Sequence, residues 1–91
     1  MSVIKVDYGE VGGGGTYIDE VINYNDTKTF NNVTTGVFWM SYNGGTTCIA
    51  VSDGVLIEKQ SSSYGNCSYT DGIITFNNGN YSIQTIHGYY V

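Results

Sequence analysis

Apolar and polar residues alternate in short runs along this chain, and the runs are punctuated by turn-forming pairs. Val3 to Tyr8 opens the series, with Ile4 and Val6 on one side of an extended backbone and Lys5 and Asp7 on the other. Lys28 to Val33, Thr46 to Ser52 and Cys67 to Thr70 read as further strands, and Val37-Phe38-Trp39-Met40-Ser41-Tyr42, the most apolar run, reads as a central one. Thr34-Thr35-Gly36 and Asn43-Gly44-Gly45 are turns on either side of it. Asp53-Gly54, Asp71-Gly72 and Asn78-Gly79 each separate two apolar-rich stretches. Such pairs readily take the positive φ angles of tight hairpins, so the second half, with Ile73 to Phe76 and Tyr81 to His87 as strands, is expected to form an antiparallel meander.

Two segments resist a single reading. Ile18, Val21 and Ile22 have helical spacing, and Thr16, Asp19 and Glu20 suit a helix start, but the flanks are β-like and favour a strand over Tyr17 to Asn25. Gly12 to Gly15 gives a flexible connection, a sharp bend or a close approach by another backbone, and Ser61 to Gly65 gives the principal exposed loop. The expectation is an all-β single domain over residues 1–91: a compact antiparallel β-sandwich or partly closed barrel of about eight or nine short strands.

Composition narrows the range of partners. Three lysines against eight acids in 91 residues give a net charge of -5, which leaves no basic surface for nucleic acid or anionic bilayers. No apolar run is long enough for membrane insertion by a helix, and the first residues lack the order of a signal peptide. Chemistry is equally sparse. One histidine, His87, and no arginine leave no nucleophile and base in a recognisable motif, and the adjacent Asp19 and Glu20 point to opposite faces of a strand. Cys48, Cys67 and His87 lack the close spacing of zinc ligands. Asp19, Glu20, Asn23, Asn25 and Asp26 do not follow a calcium-loop order. The four Gly residues at 12–15 lack the context of a phosphate loop. No catalytic, cofactor or metal site is therefore expected. Cys48 and Cys67 are either a disulfide or two reduced thiols. The acceptor-like triplets at Asn25, Asn32, Asn66 and Asn80 read as turn and polar-strand chemistry.

The aromatic residues carry the binding argument. Tyr64 in the serine loop, Tyr69 near the next turn, and the terminal Tyr89-Tyr90 pair offer flat apolar faces with hydroxyl tips, suited to carbohydrate stacking or protein recognition, unless they are simply strand residues packed in place. Charge supplies a second argument. No Asp, Glu, Lys or Arg follows Asp71, so Ile73 to Val91 has little protection against pairing with another chain unless it lies inside its own domain.

Asn32-Val33-Thr34-Thr35-Gly36-Val37, the stretch from Asp71 to Tyr81 and the Gly-rich opening from Gly9 to Gly15 resemble small β-sandwich modules of bacteriophage tail, appendage and other virion proteins. The resemblance implies a structural or host-attachment role in a multimer on a virion or extracellular surface. The expected partners are copies of the chain or other virion proteins, with a host-surface glycan as the alternative.

Overall fold

A computed structural model describes residues 15–42, 45–62, 65–79 and 82–91, with the side chains of 41 and 42 left aside. The expected strand at Val3 to Tyr8 lies outside the described residues, as do Gly12 to Gly14 and Tyr64. Among the described residues there are eight strands: β1 (Thr16–Ile22), β2 (Thr27–Phe30), β3 (Gly36–Tyr42), β4 (Gly45–Ser52), β5 (Val55–Gln60), β6 (Gly65–Thr70), β7 (Ile73–Asn78) and β8 (Gln84–Tyr90). All pairings are antiparallel, in a five-stranded sheet of order β1-β8-β3-β4-β5 and a three-stranded sheet of order β2-β7-β6. The sheets do not close on one another, so the architecture is a sandwich and not a barrel.

Period-2 alternation explains the core. Ile18 and Ile22 of β1, Phe38 and Met40 of β3, Ile49 and Val51 of β4, and Ile86 of β8 face inward from the larger sheet. They meet Phe30, Cys67, Ile74 and Phe76 of the smaller sheet, with Val33 closing one end. The helical spacing at 18, 21 and 22 is thereby resolved: Ile18 and Ile22 are buried four residues apart on one strand face, while Val21 is 53% exposed on the other. Phe38 is the hub. Its ring lies 5.2 Å from that of Phe30, 5.6 Å from Tyr90 and 6.4 Å from Phe76. Phe38 pairs directly with Gly88, where an added Cβ would stand 2.8 Å from the Phe38 ring and 2.7 Å from the Val37 carbonyl, so the close approach of β8 to β3 requires glycine.

Two of the three turn signals make hairpins. Asp53 and Gly54 have φ of 55° and 78°, and Asp71 and Gly72 have 51° and 79°, the paired positive values of a type I′ turn. Asn78-Gly79 does something else. Here the chain leaves the small sheet and enters the large one, so the expected meander, already broken where the chain passes from β5 of the large sheet to β6 of the small one, is broken again after β7. The Asn78 side chain is buried at this crossing: its Nδ2 donates to Ile22 O (2.9 Å) and Ser82 O (3.0 Å), and its Oδ1 accepts from Gln84 Nε2 (2.6 Å). The Asn78 backbone is bound as well, N to Asp26 O and O from Asn25 N. β2 ends at Phe30, short of the expected Val33, because Asn32 takes a left-handed φ of 59° and the following loop turns to bond the Gly72 carbonyl through Val33 N.

Candidate functional site

Three strands at one side of the large sheet build an aromatic groove on its outer face. In β1 the alternation that buries Ile18 turns Tyr17 and Asp19 outward; in β3 the burial of Phe38 and Met40 turns out Val37 and Trp39; in β8 the inward Ile86 and Gly88 leave His87 and Tyr89 facing out. Register aligns these side chains in rows. Tyr17, Tyr89 and Val37 form one, Asp19, His87 and Trp39 the next. The Tyr17 and Tyr89 rings touch at 4.7 Å between centroids with a 51° tilt, and the Trp39 indole stacks on the His87 imidazole at 5.7 Å. Tyr17, Val37, Trp39, Gly88 and Tyr89 line a groove of about 320 Å³, with Tyr17 64% and Trp39 40% exposed.

Of the four tyrosines singled out from the sequence, Tyr64 lies outside the described residues, and the other three do not converge. Among those three, Tyr89 alone lines the groove. Tyr90, its neighbour, points the other way and packs on the core against Phe38. Tyr69 also packs on the core and donates its hydroxyl to Val33 O at 2.9 Å, holding the loop that caps the sandwich. Tyr17 and Trp39 were the missing members. The signal for them lay in the alternation itself, since each flanks a residue that must be inside.

Asp19 Oδ1 lies 3.5 Å from His87 Nδ1, an acid-imidazole pair on an exposed surface. A dyad of that kind needs a nucleophile beside the imidazole. Trp39 occupies the next place in the row and Cys48 the one beyond, two strand spacings or roughly 9.5 Å from His87 and out of proton-transfer reach. No three His, Cys, Asp or Glu side chains gather in a metal-binding group among the described residues.

Both cysteines are free. Cys48 lies between the buried Thr47 and Ile49 on β4 and so projects outward, whereas Cys67 points into the core and donates to the Cys48 carbonyl at 3.3 Å. Burial pushes the Cys67 thiol up from 9.0 to about 11, with the charge of Lys59 offsetting part of the rise. Because the folded value exceeds the unfolded one, the stabilisation from keeping this thiol neutral is complete below about pH 9 and is lost as pH climbs through 11. Urea melts of the native chain and of Cys67→Ala between pH 7 and 11 are expected to show the native chain losing about 2 kcal/mol more than the variant over that window. Parallel pH profiles would contradict this.

A second concavity, of about 500 Å³, is polar and sits at the end of the sandwich where Asn78 anchors the crossing. Its wall includes Asn25, Asp26, Ser62, Asn66 and Asn77. Part of this wall is already engaged: Asn77 Oδ1 accepts from Thr27 Oγ1 at 2.6 Å, and Asn77 Nδ2 donates to Asn66 Oδ1 at 2.7 Å.

The edges of the large sheet differ. β1 is regular over seven pairs with β8, while β5 carries a bulge: Ala50 pairs with Glu58 and Val51 with Leu56, which leaves Ile57 as the extra residue. All six β5 residues are exposed, among them Val55 at 58%, Leu56 at 43% and Ile57 at 63%. The uncharged stretch from Ile73 to Val91 offers no such edge, because β7 is the middle strand of its sheet and β8 lies between β1 and β3. Its lack of charge accompanies an interior place in its own domain.

No protein-family model, curated protein or solved structure matches this chain.

Proposed function

We propose that this protein is a non-enzymatic assembly component, of the virion-surface kind that its turn and strand sequences resemble, and that it joins a neighbouring subunit through β5. The observation that carries this reading is the run Val55-Leu56-Ile57, three aliphatic side chains in succession on an edge strand and all substantially exposed. Exposed apolar residues that adjoin one another mark contact surfaces more often than isolated ones do. The Ile57 bulge and the charges of Glu58 and Lys59 hinder a continuous backbone ladder, so the contact runs through side chains. Light scattering on a size-exclusion column tests it. The native chain is expected to give a mass that is a multiple of 9.9 kDa at micromolar concentrations. Ile57→Lys should weaken association at least about tenfold by removing one buried aliphatic side chain and adding a charge. A native chain that stays monomeric at all concentrations overturns the reading.

A displayed glycan-binding domain is the second reading, favoured by the polar cleft. Amides, hydroxyls and the Asp26 carboxylate in one concavity match the many hydroxyls of a sugar better than they match an apolar peptide. An array of oligosaccharides probed with the native chain and with Asn66→Ala separates the readings; the glycan reading fails if no sugar is retained.

A further inference from the structure

We infer that the aromatic groove over β1, β8 and β3 is a binding site for a small quaternary ammonium compound, with choline as its occupant. The groove and β5 lie toward opposite edges of the five-stranded sheet, with β4 between β3 and β5. Its chemistry is specific in two respects. The lining side chains are three aromatic rings and Val37, with only tyrosine hydroxyls and the indole N–H as polar atoms. A sugar stacked there would find few side-chain hydrogen-bond partners to fix its hydroxyls, so the lining gives it little specificity. A trimethylammonium group has no N–H to satisfy and needs no such partners, while ring faces attract its charge.

Electrostatics points in the same direction. Asp19 stands one row along from Tyr17, Glu58 lies in the Tyr17-Tyr89-Val37-Ala50 row at its far end, and the chain as a whole carries -5. Of the lysines described, Lys28 is on β2 and bonded to Glu20 at 3.0 Å, and Lys59 is on β5. The histidine of this face, His87, is held between Asp19 and Trp39. A cation thus meets both ring faces and a negative field, whereas an anion meets the same field with the wrong sign.

Choline chloride titrated into the full chain at constant ionic strength, followed by the emission of Trp39, the single tryptophan, tests the site. The expected result is a saturable change with a millimolar dissociation constant. The neutral isostere 3,3-dimethylbutan-1-ol should bind at least about tenfold more weakly, since it keeps the shape and loses the charge. Tyr17→Ala, at an exposed edge position, should weaken choline about fivefold to tenfold with the far-ultraviolet dichroism unchanged. Asp19→Asn should weaken it by a smaller factor that shrinks with added salt. The Ile57→Lys variant should bind choline as the native chain does, which separates this site from the assembly contact. Equal binding of choline and its isostere, or no saturable response, overturns the assignment. So does Trp39 emission that shifts with protein concentration alone in the Ile57→Lys background, because a second copy would then occupy the groove.

Discussion

Asn78→Ala is expected to destabilise the domain by about 3 to 5 kcal/mol, read as a fall in the urea midpoint at unchanged slope. The side chain is 1% exposed and serves three partners from different parts of the chain: Ile22 O at the end of β1, Ser82 O in the connection, and Gln84 Nε2 at the start of β8. Removing the amide leaves two carbonyls and one amide donor without these bonds; those to Ile22 and Gln84 are buried and that to Ser82 partly so, and each buried loss costs roughly 1 to 3 kcal/mol. Asn78→Asp sharpens the test. It keeps the size and the acceptor for Gln84 but replaces the donor to two carbonyls with carboxylate oxygen, so it should be at least as damaging at neutral pH as alanine. A cost under about 1 kcal/mol for both variants would mean that the crossing is held by its backbone bonds alone.

Phe38→Ala is the second large effect, at about 3 to 5 kcal/mol. The ring is fully buried and contacts rings from both sheets, Phe30 and Phe76 opposite and Tyr90 beside it. Truncation opens a cavity where aromatic rings of the two layers pack together, and the neighbouring rings can only partly collapse into it. Phe38→Leu should cost roughly half as much. Gly88→Ala belongs to the same site, and its cost should fall in the Phe38→Leu background without vanishing, because the Val37 carbonyl at 2.7 Å remains in the way of the new methyl. Urea denaturation of the two singles and the double measures this, and strict additivity would show that the ring and the glycine do not constrain each other.

These residues also show which parts of the molecule could be read from sequence. Asp53-Gly54 and Asp71-Gly72 declare hairpins because the turn depends on two residues whose backbone preferences are local. The outward and inward sides of β3 follow from alternation around Phe38, and so would the exposure of Tyr17 beside Ile18. Asn78-Gly79 looks the same on paper as the other two pairs. Its difference lies in partners near residues 22 and 82, which no local rule reveals. The absence of charge after Asp71 has two physical explanations, an interior strand or a sticky edge, and only strand order distinguishes them. The tyrosines were the least legible because one residue of shift reverses the face: Tyr89 lines the groove and Tyr90 fills the core.

The position of β8 between β1 and β3 governs the order of events during synthesis. Thr16 pairs with Tyr90 and Ile22 with Gln84, so β1 meets β8 in the large sheet only after the six strands between them have been made. The hairpins β3-β4, β4-β5 and β6-β7 can form as they leave the ribosome, whereas β1 must wait for the final strand to be threaded beside it. Such distant pairing makes the last step slow compared with hairpin closure. Until it is complete, β1 lacks its backbone ladder with β8. A ribosome stalled before β8 would therefore hold a nascent chain in which β1 and β3 still lack the strand that joins them.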